Sequence, residues 1–273
     1  MIDRMFSLRN KVIVITGAAG LLGRKHAEVV AQAGGIAILL DLHDEIVEVM
    51  AKDLEKRHGV ESAGYAVDIT KESKIEANCA ALLERYGHID GLVNNAANNP
   101  KMEDNGCKNF SRLENFQVAV WDADIAVGLT GAFLCAKHYG NAISRQGGSI
   151  VNISSDLGII APDQRLYQKP GLPMNQQPVK PVTYSVVKSG LIGLTRYLAT
   201  YWADQGVRCN AMCPGGIENN QDPTFLREVS SRIPMGRLAR ADEYQGALLF
   251  LLSEASSYMN GAVLSVDGGR TTW

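Results

Sequence analysis

Tyr184 and Lys188 stand four residues apart in the run Tyr-Ser-Val-Val-Lys, and one helical turn sets a phenol and an ammonium on the same face. A phenol with its ordinary pKa of about 10 is a weak base at neutral pH, and a neighbouring ammonium favours the phenolate and so lowers that pKa. The pair offers acid–base chemistry on an oxygen atom and makes an enzyme the leading reading. Taken alone it is also an ordinary pair on a helix surface. Upstream, an apolar run ends in Thr16-Gly17-Ala-Ala-Gly20-Leu21-Leu22-Gly23. There Gly17 permits a tight turn, Gly20 lets backbone amides approach a pyrophosphate, and Gly23 lets the following helix pack closely on its strand.

Asp41 follows the next apolar run, 24 positions after Gly17, near the offset of about 20 at which a carboxylate receives the ribose hydroxyls of a dinucleotide. A carboxylate there repels a 2′-phosphate, and no Lys or Arg adjoins it, so NAD is preferred over NADP. The alternative is that Asp41 caps a helix starting near His43, while Arg24 is basic enough and near enough to the glycine loop to reach a phosphate. Asp68, with Ile69 beside it, is a candidate for the adenine edge or the N-cap of a helix beginning near Thr70 or Lys71. Asn94-Asn95-Ala96-Ala97 ends another apolar run with small residues against which a ring system can lie.

The elements that must position these residues alternate. Val12–Ile15, Ile36–Leu40, Tyr65–Val67, Leu92–Val93, Ser149–Ile153, Val207–Met212 and Val263–Val266 read as strands. Leu21–Ala33, His43–Arg57, Lys71–Tyr86, Val118–Ile143, Tyr184–Asp204 and Asp242–Leu252 read as helices of crossover length. Strands apolar on both faces, each followed by such a helix, predict a single-domain α/β fold: a Rossmann-like, doubly wound parallel sheet of about seven strands with helices on both faces. One domain over 1–273 is expected, with proline-rich substrate loops at about 156–183 and 217–240.

Composition sets the outer bounds. The 273 residues are 46% hydrophobic and 21% charged with a net charge of −2, giving no electrostatic reason to expect nucleic acid or an anionic membrane as partner. Asp3, Arg4 and Arg9 interrupt the start where a signal peptide needs an apolar stretch, and no run suggests a membrane span of about 20 apolar residues. A soluble, cytoplasmic protein acting on a small molecule is expected. Cys79, Cys107, Cys135, Cys209 and Cys213 include no Cys-x-x-Cys pair and no histidine at ligand spacing, so free, buried thiols and no metal site are expected.

Read together, the glycine loop, Asn94-Asn95-Ala96-Ala97, Ser154-Ser155-Asp-Leu-Gly158, Tyr184-x-x-x-Lys188, Pro214-Gly215 and Val266-Asp267-Gly268-Gly269 resemble the classical short-chain dehydrogenase/reductase family over essentially the whole chain. The resemblance implies that Tyr184 is the general acid/base, that Lys188 also holds the nicotinamide ribose, and that Ser155, in the register Ser-x-x-Gly with Gly158, donates to the substrate oxygen where charge develops. It also implies that Pro214-Gly215 bends the chain so that Gly216 and Ile217 approach the carboxamide of nicotinamide, with Asn219 where Thr or Ser is usual. Relatives usually assemble as tetramers through the helices around Trp121–Ile143 and Tyr184, so a homo-oligomer, tetramer or dimer, is expected.

Three departures stand out. The glycine spacing Gly-x-x-Gly-x-x-Gly resembles the extended branch of the superfamily, yet the chain ends just after Asp267-Gly268-Gly269, as in the classical branch. The asparagine usual in Asn-Leu-Thr-Gly, which supports a proton relay, is Gly128 in Val127-Gly128-Leu129-Thr130-Gly131, leaving open a catalytically impaired NAD-binding protein. Ser155 and Tyr184 are 29 positions apart, about twice the usual separation. The added loop suggests a substrate larger or more polar than a simple alcohol, with Asp163, Gln164, Arg165, Tyr167, Gln168, Lys169, Asn175 and Gln176 as contacts, or equally the cover of a subunit contact. The stretch Asn94 to Lys101, the Gly128 variant, this loop and Gly215-Gly216-Ile217-Glu-Asn-Asn-Gln-Asp-Pro look similar to dehydrogenases grouped with flagellin modification, which implies a nucleotide-sugar or related substrate. Reduction of a 3-oxoacyl thioester is the alternative, and Asp41 argues against its usual NADPH.

Overall fold

The structure, a computed structural model, describes residues 2–98 and 111–273; Cys107 and the Asn99-Pro100-Lys101 part of the resemblance lie outside them. Seven parallel strands run β1 Val12–Thr16, β2 Ile36–Asp41, β3 Ser62–Ala66, β4 Gly91–Asn94, β5 Gly148–Ile153, β6 Val207–Pro214 and β7 Val263–Val266, in the order β3-β2-β1-β4-β5-β6-β7. This is the expected doubly wound sheet. Alternate residues of β1 feed two cores: Val12 and Val14 point to one, Ile13 and Ile15 to the other, which is what period-two side chains must do between two helical layers. One layer is α1 Leu21–Gln32, α2 Asp44–His58 and α7 Gln245–Leu252; the other is α3 Glu72–Tyr86, α4 Val118–Ile143 and α5 Val182–Tyr201. β3 starts three residues earlier than its apolar run suggests, because Gly64 has no side chain and the backbone of α2 at Val47 rests against it.

Helix α4 is 26 residues long and contains an 18-residue stretch with a mean hydropathy of 1.5, so by length and composition it could cross a membrane, although Asp122, Asp124, Lys137 and His138 interrupt its apolar run. Its apolar character has another use here. Cys135, Ala136, Tyr139 and Ile143 pack into the core beneath the sheet, while Phe133 on the opposite face is half exposed. Two stretches, Ala126–Thr130 and Ala136–Gly140, are wound as wide π turns. Cys79, Cys135, Cys209 and Cys213 are buried free thiols, and burial pushes Cys79 up to about 11 and Cys209 to about 12.

The region expected as a loop over 217–240 contains α6, Pro223–Ser230, whose N-cap Asp222 accepts from the backbone N–H of Thr224 and Phe225. Asp followed by Pro at the first helical position is a start signal that proline-counting obscured. The 156–183 segment is also ordered: Gln177 ties it together, accepting from Lys169 N–H at 2.7 Å and donating to the carbonyls of Lys169 and Leu172. Leu166 of this segment joins Val229, Ile233 and Leu238 in a small core of their own, and Asp163 receives Arg232 at 2.7 Å.

His26 on α1 is completely buried with neither ring nitrogen partnered among the described residues, and desolvation lowers its pKa to about 3. The unfolded chain accepts a proton near pH 6.5 that the native state refuses until about pH 3, so stability falls as pH drops through that window. By pH 5 this group removes about 2 kcal/mol. Urea unfolding of the wild type and His26→Met at pH 7 and pH 5 is expected to give the variant a smaller loss by about that amount; equal losses would refute the assignment.

Candidate active site

Strand order reverses between β1 and β4, and in an open parallel sheet ligands enter at the carboxyl ends of the strands beside such a reversal. A cleft of about 850 Å³ lies there. Gly17 has φ +62°, and a Cβ on it would fall 2.8 Å from Ala96 Cα, so the turn after β1 and the end of β4 meet backbone to backbone. Thr16 Oγ1, which sequence reading passed over, accepts from the N–H groups of Asn95 and Ala96 at 3.0 Å each and fixes that meeting.

Gly20 is the N-cap of α1 and offers no side chain to it. The first-turn N–H groups of Leu21, Leu22 and Gly23 therefore remain open, with the positive end of the helix behind them. Leu21 and Leu22 line the cleft; Gly23 lies behind it, where a Cβ would come 2.2 Å from Gly17 O. These features form a seat that fits a pyrophosphate.

Asp41 is on the cleft wall and accepts from Ala19 N–H at 2.9 Å and Leu42 N–H at 2.8 Å. It braces the glycine loop and does not cap α2, whose N-cap is His43 without a side-chain bond. Arg24 also lines the cleft, its Nε donating to Ala19 O at 2.9 Å. Asp68 accepts from both Thr70 N–H and Thr70 Oγ1, and these bonds hold its carboxyl below the usual carboxylate range. It shapes the turn before α3, whose N-cap is Lys71, and with Ile69 it faces the cleft. Asn94 departs from expectation. It is buried behind the wall, donating to Asn152 Oδ1 at 2.9 Å and to Ala132 O, so it joins β4 to β5 and α4, while Asn95 and Ala96 line the cleft.

On the far side, Pro214, Gly215, Gly216 and Ile217 follow β6 along the wall, with Asn219 beyond. Tyr244 donates to Gly215 O at 3.0 Å. Between the two sides stand Ser155 and, on α5, Tyr184 and Lys188. The Tyr184 hydroxyl lies 3.4 Å from Ser155 Oγ. Lys188 Nζ donates to Ile153 O at 2.8 Å, and Ser154 Oγ donates to Lys188 O at 2.7 Å. Ser154 is thus occupied with the backbone of α5, and the hydroxyl that meets Tyr184 is Ser155, the member of the pair expected from the register with Gly158. Burial raises the Tyr184 phenol above its ordinary range, while desolvation lowers Lys188 to about 8. Ser155 donates to Asp156 Oδ1 at 2.7 Å, so its hydroxyl must turn to donate to a substrate.

Gly128 has a packing cause. A Cβ there would fall 2.5 Å from Val187 Cγ1, so the side chain of α5 fills the place an asparagine would occupy.

Of the loop residues expected as contacts, only Tyr167 lines the cleft. Asp163 is held by Arg165 and Arg232, and Gln164 Oε1 accepts from Lys180 N–H at 2.8 Å. The segment contributes Lys180 as well, and the C-terminal turn contributes Arg270. Neither was singled out: Lys180 precedes α5, outside any helix face, and Arg270 follows the last motif with no pattern of its own.

A short chain dehydrogenase family profile matches residues 11–167, and one described as enoyl-(acyl carrier protein) reductase matches residues 174–271. The chain is 34% identical to a 3-oxoacyl-(acyl-carrier-protein) reductase of Thermotoga maritima, covering 96% of this chain and 98% of that one. It is 30% identical to an NAD-dependent glycerol dehydrogenase of Listeria innocua, covering 98% and 97%. Among solved structures, a gluconate 5-dehydrogenase of Burkholderia cenocepacia in complex with NADP and tartrate superposes with a TM-score of 0.87 at 27% identity over 100% of both chains. Sheet order, cleft and sequence therefore agree, and the chain belongs to the short-chain dehydrogenase/reductase family of nicotinamide-dependent oxidoreductases.

Proposed function

We propose that this protein is an NAD-preferring dehydrogenase that interconverts a secondary alcohol and a ketone on a polyhydroxylated, sugar-like substrate, free or carried on a nucleotide. The observation that carries the reading is Tyr184, with its hydroxyl facing Ser155 and Lys188 one turn behind it, at the mouth of a cleft that fits a dinucleotide. The bound nicotinamide supplies the hydride acceptor or donor. Tyr184 takes the hydroxyl proton as the alcohol is oxidised and returns it to the carbonyl oxygen in reduction; Ser155 donates to that oxygen. Lys188 favours the phenolate. The loop likeness to flagellin-modification dehydrogenases supports the sugar-like substrate. The exposed side of α4, with Phe133, and Tyr197 and Tyr201 on α5 support assembly of identical subunits.

NAD preference rests on Asp41, whose carboxylate would meet a 2′-phosphate as a like charge. The wild type is expected to favour NAD over NADP in kcat/KM on the order of a hundredfold, and Asp41→Ser is expected to lose most of that margin. Initial rates of reduced-cofactor formation against a panel of sugars, polyols and nucleotide sugars measure both. Equal use of NADP by the wild type would remove Asp41 from this role. Absence of turnover throughout, with cofactor bound, would favour an impaired NAD-binding protein instead.

A further inference from the structure

Beside Tyr184 the cleft wall has a charge that proton transfer does not explain. Lys180 Nζ lies 3.8 Å from the centroid of the Tyr184 ring, and both residues line the cleft. No hydrogen-bond acceptor meets that ammonium among the described residues, and desolvation lowers its pKa to about 8. Arg270 is 9% exposed. Its nearest counter-charge is Asp156 Oδ2, 3.4 Å from Nη1 and not hydrogen-bonded to it. A buried guanidinium carries five donors, and leaving them unspent is costly. With Lys188, three cations face one carboxylate at the reacting end of the cleft, and the described lining there holds no other acid.

An excess of desolvated cations with idle donors is complementary to an anion. A neutral polyol would leave Lys180 and Arg270 as they are, whereas a carboxylate accepts from both and is planar enough to take the guanidinium fork. Asp156 sets the limit on the guest's charge. Its carboxylate stands beside Arg270, so a singly charged group fits better than a dianionic phosphate. The rest of the cleft supplies hydroxyl partners: Ser155 and Tyr184 at the reacting oxygen, and Asn219 along the wall after β6.

We propose that the substrate is a polyhydroxy acid, its carboxylate held by Lys180 and Arg270 while Tyr184 and Ser155 engage the hydroxyl to be oxidised. The inference rests on the alcohol-dehydrogenase reading of the same cleft and narrows its substrate. Lys180 and Arg270 set specificity; they move no proton.

The test is calorimetric titration of the full-length protein saturated with NADH, using gluconate, sorbitol and glucose 6-phosphate. The first two differ at one terminal carbon, carboxylate against hydroxymethyl. Gluconate is expected to bind about thirtyfold or more tightly than sorbitol, and Lys180→Met to reduce that ratio about tenfold, with Lys180→Arg restoring most of it. Arg270→Met is expected to lower the same ratio, which keeps the test informative should either variant fold poorly. Equal affinities, tighter sorbitol, or a Lys180→Met variant that weakens both ligands alike would overturn the proposal. Tighter glucose 6-phosphate would overturn the carboxylate in favour of a phosphate. The two readings separate cleanly: sorbitol oxidised with gluconate ignored keeps the dehydrogenase and removes the acid site, and gluconate bound without any hydride transfer does the reverse.

Discussion

Tyr184→Phe is expected to lower kcat for alcohol oxidation by about a thousandfold, the scale of a positioned acid–base group, while the Kd for NADH stays within about threefold. The phenyl ring keeps the packing on α5 and the contact with Lys180; only the proton carrier is lost. Direction in pH follows from the environment. Burial holds the phenol above its ordinary range in the free protein, so it is protonated at neutral pH and poised to donate. Oxidation, which needs the phenolate, is expected to climb from pH 7 to pH 9, less steeply once Lys188, lowered to about 8, gives up its charge, while reduction, which needs the phenol, stays nearly flat because a phenol held above its ordinary range keeps its proton there. Steady-state rates in both directions across that range measure this. A Phe variant with wild-type turnover would take Tyr184 out of the chemistry.

Gly23→Ala is the second substitution with a large expected effect, and it touches no ligand. The new methyl would sit 2.2 Å from Gly17 O and 2.7 Å from Ala18 Cα. Both are backbone atoms of the turn after β1, so neither can rotate away. Either α1 lifts off the sheet or the turn opens, and overpacking of this kind costs about 3 kcal/mol of stability. Because the same displacement removes the first-turn N–H groups from their positions, NADH affinity is expected to fall about a hundredfold, which is about 2.7 kcal/mol. Urea unfolding and an NADH titration check the two parts. Gly20→Ala is the contrast: its nearest contact is Gly17 O at 3.2 Å, which a small shift relieves.

What sequence made legible followed from local rules. Apolar runs with crossover helices between them define a parallel sheet whatever their exact ends, and glycines at a strand-to-helix turn mark a phosphate seat because only glycine permits those approaches. The residues that escaped depend on contacts between distant segments. Lys180 and Arg270 are 90 positions apart and meet one cleft only because the 156–183 segment and the C-terminal turn fold over the same sheet edge. Asn94 looked like part of the cleft because its neighbours are; side chains alternate along a strand, and its own turns inward to Asn152. Gly128 read as the place of a lost relay group, and what the sequence did not show is that Val187, 59 positions later, packs so closely there that it would have to shift to admit a side chain.

The reciprocal tie between β5 and α5 has a mechanical meaning. Ser154 of the strand end grips the carbonyl of Lys188, and the Lys188 ammonium grips the carbonyl of Ile153, so the two segments are buttoned twice across one gap. Tyr184 and Ser155, whose hydroxyls face each other, are therefore mounted on a single jaw. Leu166 and Asp163 of the intervening segment, packed on Val229 of α6 and paired with Arg232 just after it, form a lip. Because neither tie uses an atom of the lip, the residues of the lip can change without altering the spacing of Tyr184 and Ser155.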